Sequence, residues 1–183
     1  VGCRAVELYG PCERYASAHL ADALTGSGLS HVAWHMCWED LRRERVLSAL
    51  HAIGCETAVV STLFGDQRRM PTREEWLRKL DEVNRQAAQL AKEGVRLGCH
   101  TSAFAFATSE GASYYELMLN LLSPSVLIEL DTGNCYQGGF DPPSAVGMCR
   151  THPLFLHLKP YSGEKRYNVV LGEEDDMTDW KAI

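Results

Sequence analysis

Two kinds of hydrophobic pattern take turns along this chain. Short runs patterned with a period of two alternate with longer runs whose apolar positions recur every three to four residues. The first kind predicts strands at Arg4–Tyr9, His31–Met36, Thr57–Ser61, Arg96–His100, Val126–Asp131 and Leu154–Lys159. The second predicts helices near Glu13–Leu24, Leu41–Ile53, Thr72–Lys92, Ser113–Leu122 and Pro143–Cys149. The third helix carries the fullest set of signals. Pro71 precedes it, and Thr72 with Glu75 forms a capping box. Trp76, Leu80, Val83, Ala87 and Leu90 share one stripe, and Gly94 supplies the left-handed residue that ends it. Regular alternation of strand and helix predicts βαβ units and a parallel sheet.

Successive strand residues point to opposite faces, so each strand can be split in two. Leu154, Leu156 and Leu158 oppose Phe155, His157 and Lys159. Val126, Ile128 and Leu130 oppose Leu127, Glu129 and Asp131. Leu97 and Cys99 oppose Gly98 and His100, and Val32, Trp34 and Met36 oppose Ala33 and His35. Strand after strand has one greasy face, while the other ends on a polar group: Glu7, His35, Ser61, His100, Asp131 or His157. An open doubly wound sheet needs apolar residues on both faces of its central strands. A barrel turns one face inward and carries its functional groups at the C-terminal strand ends. The pattern therefore predicts an α/β fold, a (β/α)8 TIM barrel that is incomplete here, with about six βα units.

Length fits that reading. A full barrel takes about 250 residues, whereas this chain has 183, opens on Val1 and stops at MTDWKAI, which reads as the start of a helix. The expectation is a single domain over residues 1–183, truncated at both ends. Two open sheet edges would then make the isolated chain marginally stable or prone to aggregate.

Composition narrows the function classes. The net charge of -6, with no run of Lys or Arg, argues against nucleic acid or an anionic membrane as partner. The longest apolar runs are strand-sized, and the opening VGCRAVELYG lacks the features of a signal peptide. Seven cysteines, an odd number with no CxxC, predict reduced thiols in a cytoplasmic protein. No GxGxxG, P-loop or GxSxG motif is present. Oligomeric state is open.

The candidate chemistry lies at the strand ends. Asp131, His157 and His100 are expected to converge in one mouth, where a carboxylate and two imidazoles suit a divalent ion such as Mn, Zn, Co or Mg. Glu7 and His35 can bind sugar hydroxyls or move protons, or simply satisfy loop amides. Lys159, inward-facing and two residues past His157, can hold an oxyanion or hydroxyl, or neutralise Asp131 or Glu129. Gly133, Gly138 and Gly139 predict tight loops after the fifth strand, and the run Glu173–Asp176 reads as solvated loop.

The ordered segments GCRAVELYG, GLSHVAWHMCWEDL, GVRLGCHTSAFAF, LIELDTGNCYQGGFDP, LFLHLKPYS and LGEEDDMTDWKAI resemble the xylose-isomerase-like TIM barrels, specifically the sugar phosphate isomerase/epimerase group. The resemblance covers nearly the whole chain and implies barrel strands two to seven. It implies that Asp131 and His157 are metal ligands, with His100 nearby. Glu7, His35, His100, Asn134 and Lys159 would meet the substrate, and Lys159 and His35 would be catalytic. The implied activity is metal-dependent isomerisation or epimerisation of a sugar or related polyol, by proton transfer next to a carbonyl through an enediolate. The chain departs from the pattern at Ser102 and at Ala105, which stands where a ligand glutamate is expected. A strand-eight glutamate would lie beyond Ile183. The alternatives are a non-catalytic barrel that binds a sugar or a partner, and a lyase or dehydratase on the same scaffold. A related zinc endonuclease for abasic DNA is disfavoured, because Asn134 occupies the His position of its DTCH-like motif.

Overall fold

A computed structural model describes residues 2–10, 17–64 and 69–183. In chain order these form β1 (Ala5–Tyr9), α1 (Ser17–Ser27), β2 (Ser30–Met36), α2 (Trp38–Leu41), α3 (Glu44–Ile53), β3 (Thr57–Val60), α4 (Arg73–Lys92) and β4 (Arg96–His100). There follow a 3-10 turn (Ala103–Phe106), a hairpin of β5 (Thr108–Ser109) and β6 (Ala112–Ser113), and α5 (Tyr114–Leu121). Last come β7 (Leu127–Asp131), α6 (Thr132–Gln137), α7 (Pro142–Met148) and β8 (Leu154–His157). The first four residues of the helix expected at Glu13–Leu24 lie outside the described residues.

Six strands pair in parallel in the order β1-β2-β3-β4-β7-β8. The sheet curls into an incomplete barrel, and its curvature brings the outermost strands together: His157 on β8 meets Glu7 on β1 at 2.7 Å. The two faces separate as the alternation predicts. Trp34, Met36, Ala58, Val60, Leu97, Cys99, Ile128 and Leu130 face outward into the main core. There they pack with the helix stripes, including Trp76, Leu80, Val83, Ala87 and Leu90 of α4. The inward face begins with a small apolar layer of Ala33, Val59 and Leu127, against which Phe155 packs. Gly98 is a glycine for lack of room: a Cβ there would lie 2.9 Å from Val59 Cγ2 and 3.0 Å from Leu127 Cδ2. This layer lies beneath the polar groups further along the strands.

Local signals explain the helix boundaries. Thr72 and Glu75 form the predicted capping box, and Ser113 with Glu116 forms another on α5. Gly94 follows α4 with φ +74°. Three expectations need correction. The helix expected at Leu41–Ile53 is two helices, because Arg43 is extended (φ -89°, ψ 133°) between them. That break lets Trp38 and Leu41 on one side, and Val46 and Leu50 on the other, all reach the core. The segment after β7 is helix α6, not loop, because the Asp131 side chain caps it by accepting from Asn134 N at 2.7 Å. MTDWKAI is not helical: Asp176 gathers this stretch instead, accepting from Trp180 Nε1 at 2.6 Å, Gly172 N at 2.8 Å and Thr178 N at 3.1 Å. Among the described cysteines, Cys55, Cys99, Cys135 and Cys149 are buried, Cys3 and Cys37 are exposed, and all are free.

Candidate functional site

The inward-facing residues of the strand ends meet in an open cleft of about 560 Å³. Its lining includes Glu7, His35, His100, Asp131, His157 and Lys159. His100, Asp131 and His157 end β4, β7 and β8, His35 is next to last in β2, Glu7 is in the middle of β1, and Lys159 lies two residues past β8. Parallel pairing sets their levels: Asp131 stands beside His157, and His100 beside Glu129.

Within the cleft the side chains form two overlapping groups. In the first, His100 Nε2 lies 3.4 Å from Asp131 Oδ2, and Lys159 Nζ lies 3.5 Å from the same oxygen. His157 completes this group, and donor atoms of His100, Asp131 and His157 all lie within 4.8 Å of one another. In the second, Glu129 Oε2 approaches His35 Nε2 at 2.5 Å, Glu7 Oε1 lies 3.5 Å from the same nitrogen, and His157 Nε2 lies 2.7 Å from Glu7 Oε2 and 3.6 Å from Glu129 Oε1. The donor atoms of Glu7, His35, Glu129 and His157 likewise fall within 4.8 Å. The three imidazoles pack on one another. His35 stacks on His157 at 5.1 Å between centroids, and His100 meets both edge-on.

Charge is concentrated at this point, and the ionisation of the groups reflects it. Burial opposes the charge on His35, but the carboxylates of Glu129 and Glu7 outweigh it and push its pKa up to about 9. The hydrogen bond to Glu7 likewise raises His157, against burial. Burial would raise Glu7, yet His157 and His35 hold its carboxyl far below the usual range. Burial also works against ionised Asp131, and His100, the Asn134 amide and Lys159 together keep it low. The cleft is therefore a network of carboxylates around His35, whose imidazole they hold in its charged form at neutral pH.

These donors fit a divalent ion. Glu129 is 1% exposed, and neither of its oxygens has a hydrogen-bond partner. Glu7 Oε1 and His35 Nε2 are also buried without one. Glu129 Oε2 and His35 Nε2 thus approach to 2.5 Å without the angles of a hydrogen bond. Buried polar groups seldom go unpaired. Mixed imidazole and carboxylate donors converging on a shared point suit Zn or Mn better than an all-oxygen cation such as Ca.

The other candidates fall around this centre. Lys159 stands at the rim, its Nζ 4.0 Å from the centroid of the Tyr167 ring. Asn134 sits beside the cleft with both amide ends engaged: Nδ2 donates to Thr101 O at 2.9 Å, and Oδ1 accepts from the Tyr167 hydroxyl at 2.7 Å. It lines a smaller polar recess with Ser61, Thr62, His100, Ser102 and Gln137. Ala105 is 1% exposed in the 3-10 turn and belongs to the main core. The alternation places Glu129 on the inward face but gives it no role of its own, and the structure puts it at the heart of the site. The signal for that is a glutamate in the middle of an otherwise apolar strand, two residues before Asp131.

Neither the family models nor the curated proteins contain a match to this chain. Solved structures do match. A sugar phosphate isomerase/epimerase from Parabacteroides distasonis superposes with a TM-score of 0.75 at 17% identity, covering 95% of this chain and 68% of its own. A D-allulose 3-epimerase from Methylomonas sp. gives 0.65 at 15% identity, covering 89% and 65%. A probable 3-DHS dehydratase from Bacillus anthracis gives 0.64 at 14% identity, covering 87% and 64%. At these identities the likeness is one of architecture, and this chain has the fold of the xylose-isomerase-like TIM barrels.

Proposed function

We propose that this cleft serves a metal-dependent isomerase or epimerase acting on a sugar or related polyol. The observation that carries the reading is the convergence of Glu7, His35, His100, Glu129, Asp131 and His157 at the C-terminal mouth of a parallel sheet, with buried donor atoms left unpaired. His157 belongs to both donor groups, and either Asp131 with His100 or the Glu7–His35–Glu129 set supplies the remaining ligands. A bound divalent ion would polarise a carbonyl and its neighbouring hydroxyl, making the hydrogen on the carbon between them acidic. The chain's own groups do the rest. Lys159 meets the oxygen on which negative charge grows. A carboxylate of whichever donor group does not hold the ion would take the proton and return it. The apolar layer of Ala33, Val59 and Leu127 closes the cleft from below. The fold neighbours whose names include isomerase or epimerase support the same chemistry.

The test is isotope exchange. The chain is incubated in D2O with Mn or Zn and a panel of ketoses and aldoses. Deuterium is expected on the carbon next to the carbonyl, with Lys159→Met lowering the rate by about 100-fold or more. No incorporation into any sugar would end this reading. A product lighter by one water would instead assign a lyase. Ala105 favours a second reading, a sugar-binding barrel without turnover, since the position expected to hold a ligand glutamate is an alanine packed in the core. Saturable sugar binding without exchange is its mark.

A further inference from the structure

The geometry points to the four residues Glu7, His35, Glu129 and His157 as a self-sufficient binding site for one divalent transition-metal ion, beside the Asp131–His100 pair. Two carboxylate oxygens and two ring nitrogens lie within 4.8 Å of one another, a donor set of the number and kind that zinc takes in four-coordinate sites. The site needs no ligand from the Ala105 position, where the family resemblance implies one.

The central residue is Glu129. It is 1% exposed in the middle of β7, with neighbouring strands on both sides. A carboxyl group taken that far from water needs partners with good geometry for its oxygens. A plain ion pair would aim a ring N–H at the carboxylate, as His157 does to Glu7 at 2.7 Å. His35 does not: its Nε2 comes within 2.5 Å of Glu129 Oε2 and still forms no directed bond. Both Glu129 oxygens, Glu7 Oε1 and His35 Nε2 are therefore buried atoms without hydrogen-bond partners, in residues whose donor atoms lie within 4.8 Å of one another. A cation at their centre would satisfy all of them together. The other ring nitrogen of His35 faces Ser61 Oγ at 3.4 Å, an outer contact that fixes the ring's orientation.

The inference does not depend on the isomerase reading, and the experiment uses zinc alone. The His100→Gln/Asp131→Asn double variant removes the competing donor pair, while the amide oxygen introduced by Asp131→Asn can still cap α6. Titrated with zinc in a calorimeter, it is expected to bind one equivalent with affinity close to that of the unaltered chain. Adding Glu129→Gln to that background should weaken binding by at least about tenfold, as should adding Glu7→Gln separately. Glu7 lies on an edge strand, so the second substitution decides the matter if the first prevents folding, which circular dichroism reports. A double variant that binds no zinc overturns the inference, and so does one whose binding survives both additions. Zinc binding as described, with no deuterium exchange into any sugar, would sink the isomerase reading alone.

Discussion

Asp131 is both a turn former and part of the cleft. One oxygen caps α6 through Asn134 N, and the other faces His100 and Lys159. Its two roles separate by substitution. Asp131→Ala should cost about 1 kcal/mol in urea denaturation through the lost cap, whereas Asp131→Asn keeps an acceptor and should cost far less. Equal losses in the two variants would contradict the capping role. His35 sets a pH dependence. Its folded pKa, about 9, lies above the ordinary 6.5, so protonated His35 stabilises the metal-free fold fully below about pH 6.5. That contribution is lost as pH rises through 9. Glu7 works in the opposite direction: its depressed carboxyl stabilises above about pH 4.5 and ceases to in acid. In chelator, the urea midpoint should therefore drop as pH rises from neutral through 9, and a level profile there would count against the His35 network. Histidine identity alone does not reveal such a role. His152 is also buried, but its two ring nitrogens lie 3.0 Å from Val126 O and 3.1 Å from Leu119 O, which ties it to the backbone.

Elements were legible where a local signal fixes them. The α4 capping box, its five-residue apolar stripe and Gly94 all appear as the pattern predicts, because each is a short-range consequence of the chain's own geometry. Thr72→Ala should cost about 1 kcal/mol, read from the denaturation midpoint. The period of two located the six sheet strands and assigned their faces, since burial on one side imposes that alternation. What it could not show is which partners an inward side chain meets. Glu129 and Asp131 share a face and are both buried, yet Asp131 finds a partner in the Asn134 amide while neither Glu129 oxygen has a hydrogen-bond partner. That difference arises from the curl of the sheet, which brings β1 to β8. Helix α6 was hidden because three glycines after Asp131 resemble a loop, and only the cap reveals the turn. Gly98→Ala tests the packing beneath the site: overfilling the layer between Val59 and Leu127 should cost about 1–3 kcal/mol.

At the scale of the whole molecule, the curved sheet has β1 and β8 at its edges and hydrophobic side chains exposed near them. Tyr9 is 75% exposed and Leu158 is 52% exposed. Unpaired strand edges template association. Sedimentation velocity on this chain should show self-association that grows with concentration, and a strict monomer at every concentration would contradict that view. The same curl is what makes a site out of residues as far apart in sequence as Glu7 and His157. This mouth is expected to hold a divalent ion, with His157 common to both donor groups. Isothermal titration of the chelator-stripped chain with zinc tests it most directly. Saturable binding that His157→Ala abolishes or severely weakens is expected; a chain that takes up no zinc, or binds it equally well without His157, would mean that this mouth is no metal site.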